Sequence, residues 1–463
     1  MRRRAVLLVA IAALTLLLFV RPSDAALNAV DPGPYVAANG NFPAWYQDTH
    51  GLGLDLCLSG ANIAPGAVPG GAGGPACTLL PNPGIFDPAF ALCFPGECAG
   101  VTLPPGQTFN FPDESFWFMG DAAFTISGVD VSYGANLEAA FAGGAPAPND
   151  QITFARIRMR ITLPATAPGG NYTVTHPYGV EVFSVAPGGG IKVINTTRDI
   201  GITPLFTGAL AGDIGPFLRD ASLAPGACIP GDVVGECYIG DPNTARPVTG
   251  SPFGTNFVRV DGPAGFTPIQ GDLFNVMGKV HAGALATPLL VERTTYGRTT
   301  GASGTVAQQD LFVQAPPSTN ATVTATDANG AAVVMTDTDT DGAWYGQSAN
   351  DPTGVATPTV SLTAGPVSGP NAPSSATSPL VDVVTIRTAD YNSGTLTVEA
   401  VSSDEVTPPL LTLTVNGLSA TWSSVGTVQT GTISGLTIPP ATVTVTSAQG
   451  GSDTEQVDVV NNP

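Results

Sequence analysis

Alternation of apolar and hydroxyl side chains dominates the last third of the chain. The segments 322–326, 395–398 and 441–446 read TVTAT, TLTV and ATVTVT, with Val, Leu or Ala on one face and Thr on the other. A strand with one buried and one solvated face has this period of two. The turn sequences at 327–330 and 415–417 contain Asn-Gly, which accepts the positive φ angles of tight hairpins. The pattern predicts antiparallel β-structure.

Strand patterns also occur earlier in the chain, most clearly at 151–162, 179–185 and 190–195. Turn residues interrupt the apolar stretches roughly every 8–12 positions, as in all-β proteins. The chain holds 56 Gly and 43 Pro, and the region before about residue 120 is predicted to be mostly loop. The fold class is therefore predicted as all-β, with a β-sandwich that carries large loop insertions in the first part.

The tail contains an internal repeat. A kernel of Arg-Thr, then Tyr, then Gly-Thr occurs at 293–305 and again at 387–395, and alternating strands follow each copy. The two copies are about 90 residues apart, which is about the length of a seven-stranded sandwich. By these residues the tail, 287–463, resembles a tandem of bacterial immunoglobulin-like or fibronectin-III-like modules. The resemblance implies two Ig-like β-sandwich modules, 287–379 and 380–463, acting as a spacer, an adhesive arm or a display stalk without catalysis. The Pro/Ser/Gly-rich run 365–379 is expected to link them.

The amino terminus has the order of a secretory signal peptide. Arg2 to Arg4 precede the apolar run 5–20, and Ser23 and Ala25 are the small residues of a cleavage site. We therefore predict a signal peptide at 1–25, with an uncleaved amino-terminal anchor as the alternative. The next unit is predicted to be a disulfide-stapled β-sandwich domain at 26–286. The expected location is secreted or extracellular, with the cell surface and the periplasm as the other destinations.

The charge of the chain restricts its partners. The net charge is −20, and Arg387 is the only cation from residue 310 onward, against fourteen Asp and Glu. Nucleic acid and anionic membranes recruit Lys and Arg, so neither is an expected partner once the signal peptide is removed. The expected partner is a surface or extracellular ligand of unidentified kind, and the oligomeric state is left open.

Six cysteines precede residue 240. In an oxidising compartment they favour disulfides, and nearness in sequence favours the pairs Cys57 with Cys77, Cys93 with Cys98 and Cys228 with Cys237. Six cysteines allow fifteen connectivities, so the other pairings stay open. A zinc site is the alternative, but no His lies nearby and no pair has the two-residue spacing of zinc knuckles.

An acidic segment gives the one candidate metal site. Asp337, Asp339 and Asp341, followed by Gly342, have the spacing of a calcium loop, in which alternating carboxylates converge on the cation. The twelfth position, where an EF-hand has Glu, is Ser348. The alternative interpretation is an acidic hairpin turn. Apart from this possible calcium ion, no cofactor is expected.

Arg156, Arg158 and Arg160 alternate with apolar residues, so their guanidinium groups leave the same face of one strand. Adjacent guanidinium groups can form an anion-binding site through planar donors. Pairing with carboxylates on neighbouring strands is the other interpretation, since opposite charges across strands stabilise sheets.

Two further segments have both a functional and a structural interpretation. His176 and Glu181 flank a turn and could serve acid–base chemistry, or His176 could be structural. The segment 111–119 combines aromatic residues with Asp113 and Glu114, which fits either a sugar site or a core strand.

The sequence contains no Gly-x-Ser-x-Gly elbow, His-Glu-x-x-His motif or phosphate loop. The expected function is therefore a secreted, non-catalytic structural, adhesive or ligand-binding protein. The alternative is an extracellular hydrolase acting on carbohydrate with its site in loops of the first domain. A deep cleft with two carboxylates about 5–10 Å apart would favour the hydrolase.

Overall fold

The computed structural model describes residues 27–58, 62–66, 73–80, 84–203 and 205–460. The predicted signal peptide lies outside these residues. Strands make up almost all regular structure, and the helical elements are the short 3₁₀ helices Ala37–Asn39 and Phe206–Ala211. The predicted all-β class is therefore confirmed. Within the described part of the chain, no helix could traverse a bilayer.

The first part of the chain forms nineteen strands in the described residues. They are β1 Leu27–Val30, β2 Trp45–Asp48, β3 Gly53–Asp55, β4 Asn62–Ile63, β5 Gly74–Pro75, β6 Glu114–Ile126, β7 Val129–Phe141, β8 Gln151–Leu163, β9 Gly170–His176, β10 Gly179–Val185, β11 Gly190–Thr203, β12 Arg219–Asp220, β13 Ile229–Pro230, β14 Cys237–Tyr238, β15 Arg246–Thr249, β16 Val258–Asp261, β17 Ile269–Gly271, β18 Leu273–Met277 and β19 Lys279–Val280.

These strands form three main sheets around one core. The largest has the order β11-β8-β7-β6-β18-β15-β12, and the others are β1-β2-β3-β19-β14-β13 and β10-β9-β16-β17. Alternate residues of β7 and β8 point into the core, where Tyr46, Trp117 and Tyr172 are completely buried. This period-two burial is what the sequence pattern of β8 predicts.

The loops between β3 and β6 and between β12 and β15 carry the disulfides. Cys57 pairs with Cys77, Cys93 with Cys98 and Cys228 with Cys237, which confirms the predicted pairing. Because the described residues include all six cysteines, no thiol is left free.

The tail forms two modules of strands. The first contains β20 Leu290–Gly301, β21 Gly304–Gln314, β22 Ala321–Thr326, β23 Ala332–Thr336, β24 Ala343–Ser348, β25 Thr359–Pro366, β26 Ser374–Pro379 and β27 Val381–Asp382. The second contains β28 Val384–Asn392, β29 Thr395–Ser402, β30 Leu411–Thr412, β31 Thr414–Val415, β32 Leu418–Ser419, β33 Thr421–Val425, β34 Val428–Ser434, β35 Thr442–Ser447, β36 Ser452–Gln456 and β37 Asp458–Val459.

The two modules share five strand pairs, although the first module also pairs β22 with β23 and so forms one eight-stranded sheet. In the first, β21 pairs with β20 and β24, β25 pairs with β22 and β26, and β27 runs parallel to β20. In the second, β29, β35 and β37 make the equivalent pairs. Tyr296 and Tyr391 of the repeated kernel both lie where the last strand pairs in parallel with the first. Each module is the Ig-like sandwich that the resemblance implied, with its own core.

The prediction that the run 365–379 links the two modules is wrong. Ser374–Pro379 is the edge strand β26, paired with β25 from Thr359 to Ala364. Proline is tolerated at a sheet edge, so this Pro/Ser-rich composition does not exclude a strand. The following strand β27 still belongs to the sheet of the first module, past the predicted boundary at 379. The domain boundaries themselves stay predictions.

Backbone pairing also joins the units to one another. Ala286 and Ala372 form a parallel bridge between the first domain and the first module, and Arg298 and Asp404 form one between the two modules. Asp382 accepts hydrogen bonds from Ser402 and Ser447 of the second module. The junctions are therefore built from ordered strand contacts.

Candidate functional site

A cleft of about 410 Å³ lies between the first domain and the first module. This volume is within the range of small-molecule sites, which are mostly apolar with a few convergent polar groups. Its apolar wall comprises Leu52, Phe217, Leu223, Val280, Leu285, Pro225, Pro316, Pro317, Pro366 and Pro370. Its polar side chains are Asp48, His50, Arg219, Thr249, Ser251, His281, Thr287, Thr319, Asn320, Thr340, Ser368 and Asn371.

The tip of the β2–β3 hairpin forms the floor of the cleft. Asp48 ends β2, and its two carboxylate oxygens accept hydrogen bonds from the backbone N–H groups of Leu52 and Phe217, each at 2.9 Å. Gly51 has φ +86°, and a Cβ there would lie 3.1 Å from the Asn371 amide nitrogen of the first module. Only glycine therefore suits both the turn and the close approach of the module.

Burial determines the charge of the floor. It raises the pKa of Asp48 to about 7, although the backbone N–H groups and Arg219 act in the opposite direction. It lowers the pKa of the neighbouring His50 to about 4, against the influence of Asp337 across the junction. At neutral pH His50 is consequently uncharged, and the carboxylate of Asp48 is already occupied by the backbone.

Arg219 is the cation of the cleft. Its Nη2 donates to the backbone oxygens of Ala224, at 3.1 Å, and Ala227, at 2.5 Å, and these bonds fix the guanidinium in place. The Nε atom is buried and has no hydrogen-bond partner among the described residues. Burial lowers the pKa of Arg219, while Asp48 and Asp220 act in the opposite direction. A guanidinium in this setting is stabilised when an anionic group comes close.

His281 lies at the other side of the cleft and is held by the first domain. Its Nδ1 atom is 2.6 Å from the Asp55 carboxylate, and its ring is 5.9 Å from the Trp45 ring. Burial raises the pKa of Asp55, with His281 acting in the opposite direction. The histidine is therefore oriented by a neighbouring carboxylate, as many ligand-binding and catalytic histidines are.

The acidic turn that gave the calcium hypothesis lies beside this cleft. Asp337 is buried, and its carboxylate accepts hydrogen bonds from the N–H groups of Ser318, at 2.7 Å, and Asp341, at 3.2 Å. Asp339 is exposed, and Asp341 accepts from the N–H of Ala343. The turn joins the antiparallel strands β23 and β24, as the alternative interpretation required. The three carboxylates do not converge, and the described residues contain no cluster of three metal-ligating acids.

The arginine row of β8 is divided between two environments. Arg156 forms ion pairs with Glu138 on β7, at 2.9 Å, and Asp199 on β11, at 2.7 Å. Arg158 donates to Thr197 at 3.2 Å, and Arg160 lies opposite Asn195 and Ser132. Cross-strand ion pairing therefore accounts for Arg156. Burial raises the pKa of Glu138 to about 7, although Arg156 acts in the opposite direction. The predicted anion site would depend on Arg158 and Arg160 alone.

The two remaining sequence candidates are core positions. His176 is completely buried, 3.7 Å from Glu181 through Nε2 and 3.2 Å from the Tyr133 hydroxyl through Nδ1. In the segment 111–119, Phe111 and Trp117 are buried in the hydrophobic core. The structure thus brings His176 and Glu181 together with the histidine fully buried and the glutamate partly exposed. It leaves no aromatic platform for a sugar at 111–119.

The cleft could not be read from the sequence. Its polar residues come from the β2–β3 turn, β12, the end of β15, the segment after β19 and three loops of the first module, up to 323 residues apart in the chain. The local signal was limited to Asp48, His50 and Gly51 in one turn, which had no motif around it.

No known protein family and no curated protein matches the chain. Tandem immunoglobulin domains of titin are 11% identical over 38% of this chain and 97% of that chain, with a TM-score of 0.14. The N-terminal Ig module of the Drosophila receptor protein tyrosine phosphatase DLAR is 11% identical over 37% of this chain and 99% of that chain, at 0.15. A bacterial ice-binding adhesin is 12% identical over 66% of this chain and 91% of that chain, at 0.15. Scores this low carry no argument about function.

Proposed function

We propose that the protein is a secreted, non-catalytic binding protein whose ligand occupies the cleft between the first domain and the first Ig-like module. The cleft is the observation that carries the proposal, because it combines apolar walls with a few convergent polar groups. The signal sequence and the three disulfides support a location outside the cytosol.

The ligand is proposed to carry an anionic group, in the first instance a carboxylate. Arg219 is fixed by backbone oxygens rather than by a facing carboxylate, and Asp48 is committed to two backbone N–H groups. An incoming carboxylate would therefore compensate the one guanidinium of the lining. The second module, joined through Arg298 and Asp404, would extend the molecule as a stiff arm.

The hydrolase alternative receives less support from the cleft. Asp48 is the one carboxylate among the described lining residues, and it is buried and saturated with backbone hydrogen bonds. A glycosidase needs two carboxylates facing the substrate.

Saturation-transfer NMR with glucuronate and its uncharged counterpart glucose tests the proposal on the full secreted chain. We expect transfer to glucuronate alone, and its loss in Arg219→Gln and in Ser368→Trp, which fills the cleft from an exposed position. Arg387→Gln, at an exposed arginine of the second module, is the matched control and should bind normally. Equal transfer to both sugars, unchanged binding in the two cleft variants, or no transfer to glucuronate would overturn the proposal.

A further inference from the structure

The outer face of the first module carries a row of ring and planar side chains that the cleft does not use. Arg293 on β20, Phe312 on β21, Tyr345 on β24 and Thr336 on β23 are direct cross-strand neighbours. Directly opposed residues project from the same face of a sheet, so the four side chains form one continuous line. At a strand spacing of about 4.8 Å, the line is roughly 14 Å long.

The rings of this row contact one another at a tilt of 45°, with Tyr345 exposed and Phe312 half-buried. The centroids of Phe312 and Tyr345 are 5.0 Å apart, and the guanidinium carbon of Arg293 is 4.3 Å from the centroid of Phe312. Tyr345 is 37% exposed, and Val334 beside it on β23 is 79% exposed. A core role does not explain aromatic residues at these positions, because the inner face of the same strands already contains the buried Trp344 and Leu311.

Side chains in the neighbouring row of the same face hold the Tyr345 ring in place. The carboxylate of Asp310 accepts hydrogen bonds from the Tyr345 hydroxyl at 2.7 Å, from Gln308 Nε2 at 2.9 Å and from Gln347 Nε2 at 3.3 Å. Gln347 Nε2 also donates to the Tyr345 hydroxyl at 3.0 Å. The amide groups of Gln308 and Gln347 are thereby held beside the Asp310 carboxylate, next to the Tyr345 hydroxyl. The rings have few rotatable bonds and are already ordered, so binding would cost little conformational entropy.

We propose that this surface, which we name the aromatic platform (Arg293, Phe312, Tyr345, Asp310, Gln308 and Gln347), binds a neutral polysaccharide chain. Sugar rings present apolar C–H faces that pack on aromatic rings and hydroxyl groups that need both donors and acceptors in the ring plane. The platform offers both on the solvent-facing side of the sheet. Its own charges, Arg293 and Asp310, balance each other, which favours an uncharged ligand over an anionic or a cationic one.

A polysaccharide is the occupant that this geometry fits, because the row extends across four neighbouring strands of the sheet. A folded protein partner would bury an apolar patch, whereas the platform is rimmed by amides that are half committed to Asp310. The platform belongs to the first module alone, and its function is independent of the cleft.

Affinity electrophoresis of the full chain in gels that contain mixed-linkage β-glucan, xyloglucan, galactomannan or alginate tests the proposal. We expect retardation by at least one of the three neutral polysaccharides and none by alginate. Phe312→Ala and Tyr345→Ala should weaken binding at least tenfold, while Phe312→Leu, which keeps apolar bulk without an aromatic face, should weaken it as strongly. Tyr345→Phe keeps the ring and should bind within about threefold of the wild type, since the stacking surface is retained.

Phe253→Ala is the matched control, because Phe253 is 65% exposed and lies in the first domain. It should leave retardation unchanged, and so should the cleft variant Ser368→Trp, which separates a failure of the platform from a failure of the cleft. The thermal midpoint of each variant verifies that it is folded. No retardation by any neutral polysaccharide, retardation by alginate alone, or undiminished binding in folded Phe312→Leu would overturn the proposal.

Discussion

Removing the carboxylate of Asp404 should open the junction between the two modules. Arg298 on β20 reaches Asp404 through Nη2 at 2.7 Å and Nε at 3.1 Å, and the Tyr296 hydroxyl donates to the same oxygen at 3.3 Å. The side chains of the pair are only 7% and 4% exposed. Asp404→Ala would leave a buried guanidinium without its main partner, a change that costs about 3–5 kcal/mol.

The structure places this cost at the lower end of that range. Arg298 keeps the Asp351 carboxylate at 3.5 Å and the Thr353 hydroxyl at 3.3 Å, so the guanidinium is not left entirely unpaired. We expect a loss of about 3 kcal/mol, which corresponds to a roughly hundredfold easier opening of the junction. Arg298→Met with Asp404→Leu should recover most of the loss, because an apolar pair of similar volume avoids the buried charge.

Hydrogen exchange followed by mass spectrometry measures this opening directly. The amides of Arg298 and Glu405 donate across the junction to Ser403 and Arg298, so their exchange reports on local separation of the modules. Arg387→Met, at an exposed arginine of β28, is the control and should change protection by less than about 0.5 kcal/mol. Exchange in Asp404→Ala within threefold of the wild type, or a double variant as open as Asp404→Ala, would refute the reasoning.

Three further predictions concern the cleft, the acidic turn and the tail. The folded-state pKa of His50 lies below its unfolded value, so its contribution to stability is lost as pH falls from about 6.5 to about 4. Across that window, the change in the free energy of unfolding of His50→Gln should differ from that of the wild type by about 3 kcal/mol. Asp337→Ala should destabilise by about 1–3 kcal/mol by leaving buried N–H groups unpaired, whereas Asp339→Asn should be neutral, and calcium should raise the melting temperature no more than magnesium does; a steep, calcium-selective rise lost in Asp339→Asn would restore the calcium site. Residues 287–463 alone should give a β-type circular dichroism spectrum, since each module has its own core, and a disordered spectrum would contradict modularity.

The modules were predictable because their signals are local. Strict alternation places the strands at Ala321–Thr326 and Thr442–Ser447 within a residue or two of the predicted segments. Asn416 and Gly417 adopt the positive φ angles, 50° and 81°, that the turn sequence required. A pattern of period two and a two-residue turn depend on neighbours in sequence, so the local sequence is enough to predict these strands and turns.

The first domain was less predictable because its strands use small residues. The strand Val129–Phe141 buries Ala135, Leu137 and Ala139 in alternation, yet alanine and glycine give no strong strand propensity. The row at Arg156 was interpretable as ion pairing from its spacing alone. Its partners, Glu138 and Asp199, are 18 and 43 residues away and follow from strand register, which the sequence does not display.

The error at the predicted linker explains why the sequence did not reveal the cleft or the ordered junction beside it. A Pro/Ser/Gly-rich run was interpreted as a flexible connection, but its second half forms an edge strand and its first half approaches the cleft with Ser368 and Asn371. Asn371 donates to the Gly51 backbone oxygen at 2.8 Å, and Ala372 pairs with Ala286. The segment expected to separate two modules therefore fastens the first module to the first domain. Because that contact supplies one wall of the cleft, the proposed binding site depends on the junction, and neither unit alone contains it.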